Sequence, residues 1–283
     1  MSGYPKSSSI PIDKRLETAF ARRGELLTIT NAVRLVNGQG DGLPGLVIEK
    51  YHHHYVVHLL QAGWHGRLND VVAYLTKKFN PHYLIVKDRA GAGETASENP
   101  RVHVVIDKEG PQTVVEENGL KFRVDLNDTV NTGLFLDMRA NRKFLGEHCG
   151  AKAVLNCFSY TCSFGVYARQ GKASRVVNVD MSGKILRRGE DNYRLSQFIP
   201  DKDEFTRADC MKYLEKAVKK NNFFDIVILD PPTFSRVDNK VFIVKKDMPK
   251  LVELAVKILK KGGGLFVFLS GTQGLPTKEK VKL

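Results

Sequence analysis

Three aspartates close short apolar runs in the second half of the chain. Asp180 ends RVVNVD (175–180), Asp209 ends EFTRAD (204–209) and Asp230 ends DIVILD (225–230). Asn156 stands near the end of the preceding run, AVLNCF (153–158). A carboxylate at a strand tip can accept both hydroxyls of an adenosine ribose, as in dinucleotide-binding sheets. Capping the following helix is the competing use of an aspartate at such a position. One such residue fits capping; three at successive run ends favour a cofactor site.

The turn after the first run decides between cofactors. NAD needs a glycine-rich turn there, so that backbone can approach the pyrophosphate. This turn reads NCFSYTCSFG (156–165) and holds one glycine, Gly165. S-adenosyl-L-methionine (SAM) carries no phosphate, has a cationic sulfonium and ends in an amino acid, so it suits carboxylates and a glycine-poor loop. On this reading Asp180 holds the ribose, Asp209 takes the adenine amino group, and Met181 packs on the adenine ring. Core filling is an equal use of that methionine.

These residues need a scaffold. The four runs and GLFVFLS (264–270) alternate with helix-compatible stretches. That rhythm predicts a parallel sheet with helices on both faces, and ligands of such sheets sit at the carboxyl ends of the strands. The first half has another rhythm. An amphipathic helix is expected over 13–28, strand-like runs follow at AVRLV, LVIEK and YVVHLL, and a helix around 66–79. HYLIVKDR and LKFRVDL add strands, with Asn37-Gly38, Asp41-Gly42 and Pro44-Gly45 as turns. The division expected is a tail and helix over 1–29, a small α+β domain over 30–126, and a Rossmann-like domain over 127–283.

Lys plus Arg number 44 against 31 Asp plus Glu, a net charge of +13 that suits a polyanionic partner. No stretch approaches the ~20 apolar residues of a membrane span. MSGYPKSSSIPIDKR lacks an apolar signal core, so a cytoplasmic protein with no membrane partner is expected. Cys149, Cys157, Cys162 and Cys210 form no C-x-x-C pair and read as reduced thiols; no metal site is expected. His52, His53 and His54 read as an exposed hairpin turn.

The run NTGLFLDMRANRKFLG (131–146), followed by VLNCFSYTCSFGV, VVNVDMS, EDNYRLS, ADC and LDPPTFS, resembles the SAM-binding half of the large-subunit rRNA methyltransferases. RLVNGQGDGLPGLVIEKY resembles their central domain. The resemblance implies that Thr132, Phe135, Asp137 and Arg139 lie in a loop closing over SAM. It implies that Asn156, Phe158, Ser159, Tyr160 and Thr161 form the first cofactor loop, and that Asn192 and Cys210 belong to the cofactor site with Asp180, Met181 and Asp209. Asp230, Pro231 and Pro232 would form the rim where methyl donor and base meet, with Phe234 stacking on the base. Ribosomal RNA of the large subunit is the implied partner.

Three chemistries compete. Cytosine C5 needs a thiolate that attacks the ring. Cytosine-methylating members carry it in an S-C-S-G-like segment, where this chain has FVFLSGTQG with Ser270. Guanine N7 is itself the nucleophile and needs mainly orientation. GLFLD, VDMS and DPPTFS resemble the guanine-N7 branch, so guanine N7 is expected, with cytosine C5 as the alternative. An exocyclic amine, its hydrogens accepted by Asp230, is the third. A base in a duplex would be flipped out first, with Arg236, Lys240, Lys245 and Lys246 as phosphate contacts. An RNA-binding relative with weakened catalysis is the second functional class.

Three departures from the family pattern carry expectations. Cys162 stands where members usually have glycine, and its Cβ is expected to crowd the amino-acid end of SAM. Fewer than 30 residues precede the central domain, too few for the extra RNA-binding domain of many relatives. The sheet is expected to lack its last two strands, leaving the fifth as an open edge. Either a partner subunit, such as a second copy in a homodimer, covers that edge, or the chain is a shortened form.

Overall fold

Alternating and helical apolar patterns become two compact units, residues 1–139 and 140–283. The computed structural model describes residues 10–90, 100–128, 131–232, 234–237 and 240–268.

In the first unit, α1 (Ile12–Ala21) buries Leu16, Ala19 and Phe20 on one face. It is shorter than the 13–28 expected. Arg23 turns back just after it, donating to both Asp41 oxygens at 2.6 Å and to the carbonyls of Ala19 and Arg34. Those bonds fix the chain in a tight reversal that a longer helix would not allow. Strands β1 (Ala32–Asn37), β2 (Leu46–Tyr51) and β3 (His54–Leu59) follow, then α2 (Leu68–Phe79), β4 (Tyr83–Asp88) and β5 (Arg101–Asp107). They form one sheet in the order β1-β2-β3-β4-β5. Only β3 and β4 pair in parallel, because α2 carries the chain across between them. His52 and His53 form the two-residue turn between β2 and β3, with His52 at φ 56°. β6 (Gln112–Glu117) and β7 (Leu120–Asp125) make a separate hairpin. Its turn, Asn118-Gly119, has φ of 50° and 79°, the two left-handed residues of a tight hairpin turn.

Helix α3 (Arg139–His148) begins at the boundary between the units, and the second unit continues with β8 (Ala153–Cys157), α4 (Ser163–Gln170), β9 (Arg175–Asp180) and α5 (Gly183–Leu195). Then come β10 (Phe205–Arg207), α6 (Cys210–Lys219), β11 (Phe224–Leu229), the hairpin β12 (Phe234–Val237) and β13 (Lys240–Ile243), α7 (Val244–Lys257) and β14 (Leu259–Val267). The sheet runs β10-β9-β8-β11-β14, every neighbour parallel. This is the doubly wound α/β arrangement that the rhythm predicts, and β14 pairs with β11 alone among the described residues.

Alternation of side chains across the sheet sorts its two faces. Leu155, Val177, Val179, Val227 and Leu229 pack with Leu214 of α6 and with Leu251 and Ala255 of α7. Asn156 and Asn178 point to the other face, where the Asn178 amide donates to the hydroxyl of Tyr193 on α5 at 3.0 Å. Residues covered on both faces read as unbroken apolar runs, which is why β8, β9 and β11 were visible in the sequence. Burying each large aliphatic side chain there contributes about 1.5–3 kcal/mol.

Candidate cofactor site at the strand ends

The strand ends of the second unit are level. Arg207 pairs with Asp180, Val179 with Cys157, and Cys157 with Leu229. Asp180 and Asp230 therefore emerge at one edge of one sheet, and Asp209 follows β10 at that same edge. The winding reverses between β8 and β11, which places the loops after them at the crevice where such sheets bind ligands.

The loop after β8 is unusual in backbone. Phe158, Tyr160 and Cys162 have φ of 57°, 48° and 59°, left-handed values that cost a non-glycine residue roughly 1–2 kcal/mol each. Surrounding groups hold it there. The Phe158 N–H donates to Cys210 Sγ at 3.1 Å, and the Cys210 thiol donates to the Val179 carbonyl at 3.6 Å. The Ser159 N–H donates to the Val179 carbonyl at 3.0 Å, and Asn192 Nδ2 donates to the Thr161 carbonyl at 2.9 Å. Asn192 and Cys210 are buried, and each grips the loop from behind.

Asp180 is half-buried. Its Oδ2 accepts from the Tyr160 N–H at 3.0 Å and its Oδ1 from the Ser182 N–H at 2.9 Å. Burial pushes its carboxyl up, and those N–H groups oppose the shift. Each oxygen keeps acceptor capacity, which fits the two hydroxyls of a ribose. Met181, half-buried beside it, accepts from Arg207 Nε at its carbonyl, 3.2 Å away. Asp209 caps α6: its Oδ1 accepts from the Lys212 N–H at 2.9 Å. The capping use weighed in the sequence is thus realised at Asp209, with one oxygen engaged.

Asn156 is set apart from these groups. It is buried, and its Nδ2 donates to Asn178 Oδ1 at 2.9 Å within the sheet. Asn178, Tyr193 and Gly165 complete this polar knot, unnoticed in the sequence; a Cβ on Gly165 would lie 2.6 Å from the Tyr193 hydroxyl. The single glycine of the loop region serves this packing.

Cys162 corrects an expectation. Its side chain is buried and faces α5, where a Cβ on Gly189 would meet Cys162 Cβ at 2.9 Å. Gly189 makes room for the thiol, so it does not crowd the strand-end crevice. Asp230 and Pro231 follow β11, Asp230 half-buried and Pro231 buried, with Pro232 exposed. Phe234 begins β12. The stretch after the D-P-P motif is a β-hairpin, β12–β13, whose antiparallel ladder joins Phe234 to Ile243. Of the expected phosphate contacts, Lys246 is exposed on α7; the side chains of Phe234, Arg236, Lys240 and Lys245, and Ser270, lie outside the described residues.

Thr132, Phe135, Asp137 and Arg139 belong to the first unit. Thr132 Oγ1 donates to the Tyr51 hydroxyl at 2.9 Å. Arg139 donates to the Ala32 carbonyl at 2.6 Å and pairs with the buried Glu117 at 3.2 Å. Phe135 and Asp137 are exposed.

The S-adenosylmethionine-dependent methyltransferase family matches residues 102–274. The chain belongs to this family. It is 33% identical over 271 residues to ribosomal RNA large subunit methyltransferase I of Photobacterium profundum, covering 94% of this chain and 68% of that protein. To the protein of the same name from Aliivibrio fischeri it is 34% identical over 236 residues, covering 83% of this chain. The chain spans 60% of the length of that Aliivibrio relative. Among solved structures, a methyltransferase complexed with SAH superimposes with a TM-score of 0.82 at 27% identity, over 93% of this chain and 69% of the other. A SAM-dependent methyltransferase from Streptococcus mutans gives 0.79 at 26% identity, over 93% and 68%. The methyltransferase fold is thus shared across both units. Among the described residues no group of three or more His, Cys, Asp or Glu is arranged to hold a metal ion, and no helix is long and apolar enough to cross a membrane.

Proposed function

We propose that this chain binds SAM at the strand ends of its second unit and methylates a base of large-subunit ribosomal RNA. The observation that carries the reading is Asp180, a half-buried carboxylate held at a strand tip by two backbone N–H groups. When bound, SAM supplies a methyl group on a cationic sulfonium. Asp180 accepts the ribose hydroxyls, Asp209 offers its remaining oxygen to the adenine amino group, and Met181 packs on the adenine. Phe158, Ser159, Tyr160 and Thr161 line the path to the amino-acid end. Asn192 and Cys210 hold that loop in its left-handed turns rather than touching the cofactor, and Asn156 braces the sheet beneath it. Asp230, Pro231 and Pro232 orient the acceptor base.

Likeness to the ribosomal RNA large subunit methyltransferase I proteins supports an RNA substrate, and it favours cytosine C5 over guanine N7. The guanine-N7 expectation rested on short motifs alone. Cytosine C5 requires a thiolate. Cys149, Cys157, Cys162 and Cys210 are all buried, and burial pushes the thiols of Cys149, Cys162 and Cys210 up, away from the thiolate form. The test is incubation of undermethylated large-subunit RNA with radiolabelled SAM, followed by nucleoside analysis. Label in 5-methylcytosine is expected. Label in 7-methylguanosine would restore the guanine reading, and no label despite SAM binding would leave an RNA-binding relative.

A further inference from the structure

A groove of about 390 Å³ runs between β10 and α6, apart from the residues assigned to SAM. Arg207, Lys212, Lys216 and Lys220 line it, with Tyr213 and Asn222, and no acidic residue does. Lys212, Lys216 and Lys220 recur every four residues, so they share one face of the helix, and all three are exposed. Four residues of helix advance about 6 Å, which makes the row a regular track. It starts beside Asp209 at the carboxyl edge of the sheet and runs the length of α6.

None of these four cations makes an ion pair among the described residues, whereas Lys250, Lys257 and Lys260 pair with Glu215, Glu253 and Asp225. The helix dipole explains Lys216 and Lys220 near the C-terminus of α6. It opposes Lys212, which sits in the first turn after the Asp209 cap. Like charges four apart also repel. A row that weakens its own helix and lacks an internal partner is placed for charge supplied from outside.

We propose that this groove holds the phosphate backbone of the RNA strand and leads it toward the methyl-transfer edge. The proposal rests on the reading of the chain as an RNA methyltransferase. An acidic peptide is the other polyanion; the even row of cations along α6 suits the regular charge of a nucleic-acid backbone. Backbone contacts of this kind position RNA without reading its sequence. The track should therefore bind any single strand.

The full chain with Lys212→Gln, Lys216→Gln and Lys220→Gln tests this, using fluorescent poly(U) and protein-free large-subunit RNA as probes. Affinity should fall at least about tenfold at low salt, because three contacts are lost. The slope of log K against log salt should shrink by about 2, at about 0.7 for each single-strand phosphate contact. SAM affinity should not change. Lys250→Gln with Lys257→Gln, which removes paired cations, should leave the slope alone. An unchanged slope in the triple variant with SAM binding intact overturns the groove, even where the wild type methylates RNA. Poly(glutamate) competing as well as poly(U) also overturns it. A lowered slope in a protein that methylates no RNA upholds the groove and removes the activity instead.

Discussion

Two carboxylates, one in each unit, are buried in different company. Glu49 of the first unit accepts from Arg34 at 3.0 and 2.8 Å, from the Tyr51 hydroxyl at 3.1 Å and pairs with His58 at 3.2 Å. Burial alone would push its carboxyl up; His58 and the Arg34 guanidinium bring it down to about 2. Asp180 of the second unit meets backbone N–H groups and, among the described residues, no cation. Burial pushes its carboxyl up, and the amides only oppose this. A carboxylate neutralised by its own protein is finished architecture. One left half-buried with amides alone keeps acceptor capacity for a ligand.

The contrast breaks first at Glu49. Glu49→Ala leaves Arg34, His58 and Tyr51 without their acceptor, and the unfolding free energy in urea should drop by about 3–5 kcal/mol. The SAM affinity of the folded protein should stay within about twofold. The pH dependence follows from the signs. Glu49 sits below its ordinary 4.5, so its stabilisation is full above that value and is lost as pH falls toward about 2. Asp180 moves the other way: raised above 3.8, it weakens the fold as pH rises through its shifted value. Glu49→Ala should therefore flatten the acid limb of the stability curve. A limb as steep as in the wild type would mean that Glu49 is not the neutralised group described.

At Asp180 the expected outcome reverses. Asp180→Ala should weaken SAM by at least about 100-fold in isothermal titration, about 2.8 kcal/mol, with little change in the urea midpoint. Lost stability with SAM affinity retained would make Asp180 architecture like Glu49, and the proposed site would go with it.

Legibility in the sequence follows the same line. β8, β9 and β11 were plain because helices cover both their faces, so apolar residues dominate them. β5 and β6 were missed: RVHVVID carries an exposed His103 and lies at a sheet edge, and QTVVEE alternates only weakly. Asn118-Gly119, an Asn-Gly turn pair, is the sequence signal that sets β6 before β7. The β12–β13 hairpin was hidden because its strands, FSRV and KVFI, are only four residues each. Asp180 was readable because strand end and carboxylate are adjacent in the chain. The knot of Asn156, Asn178 and Tyr193 was not, because its members meet only once β8, β9 and α5 are packed.

Cys162 marks where single positions stop being readable. In isolation a Cβ at a position usually held by glycine predicts obstruction. The only hint of its release was Gly189, a glycine inside α5, where it costs about 1 kcal/mol of helix propensity against alanine. Gly189→Ala would add a methyl where Cys162 Cβ lies 2.9 Å away, so overpacking should cost about 1–3 kcal/mol. Cys162→Gly alone relieves the left-handed strain at φ 59° but opens the space the thiol fills, so it should change stability little. The double variant should recover most of the Gly189→Ala loss, a coupling of at least about 1 kcal/mol in a urea-unfolding cycle. Additive effects would show that the two residues do not share the space, and would return the Cys162 side chain to the crevice where it was first expected.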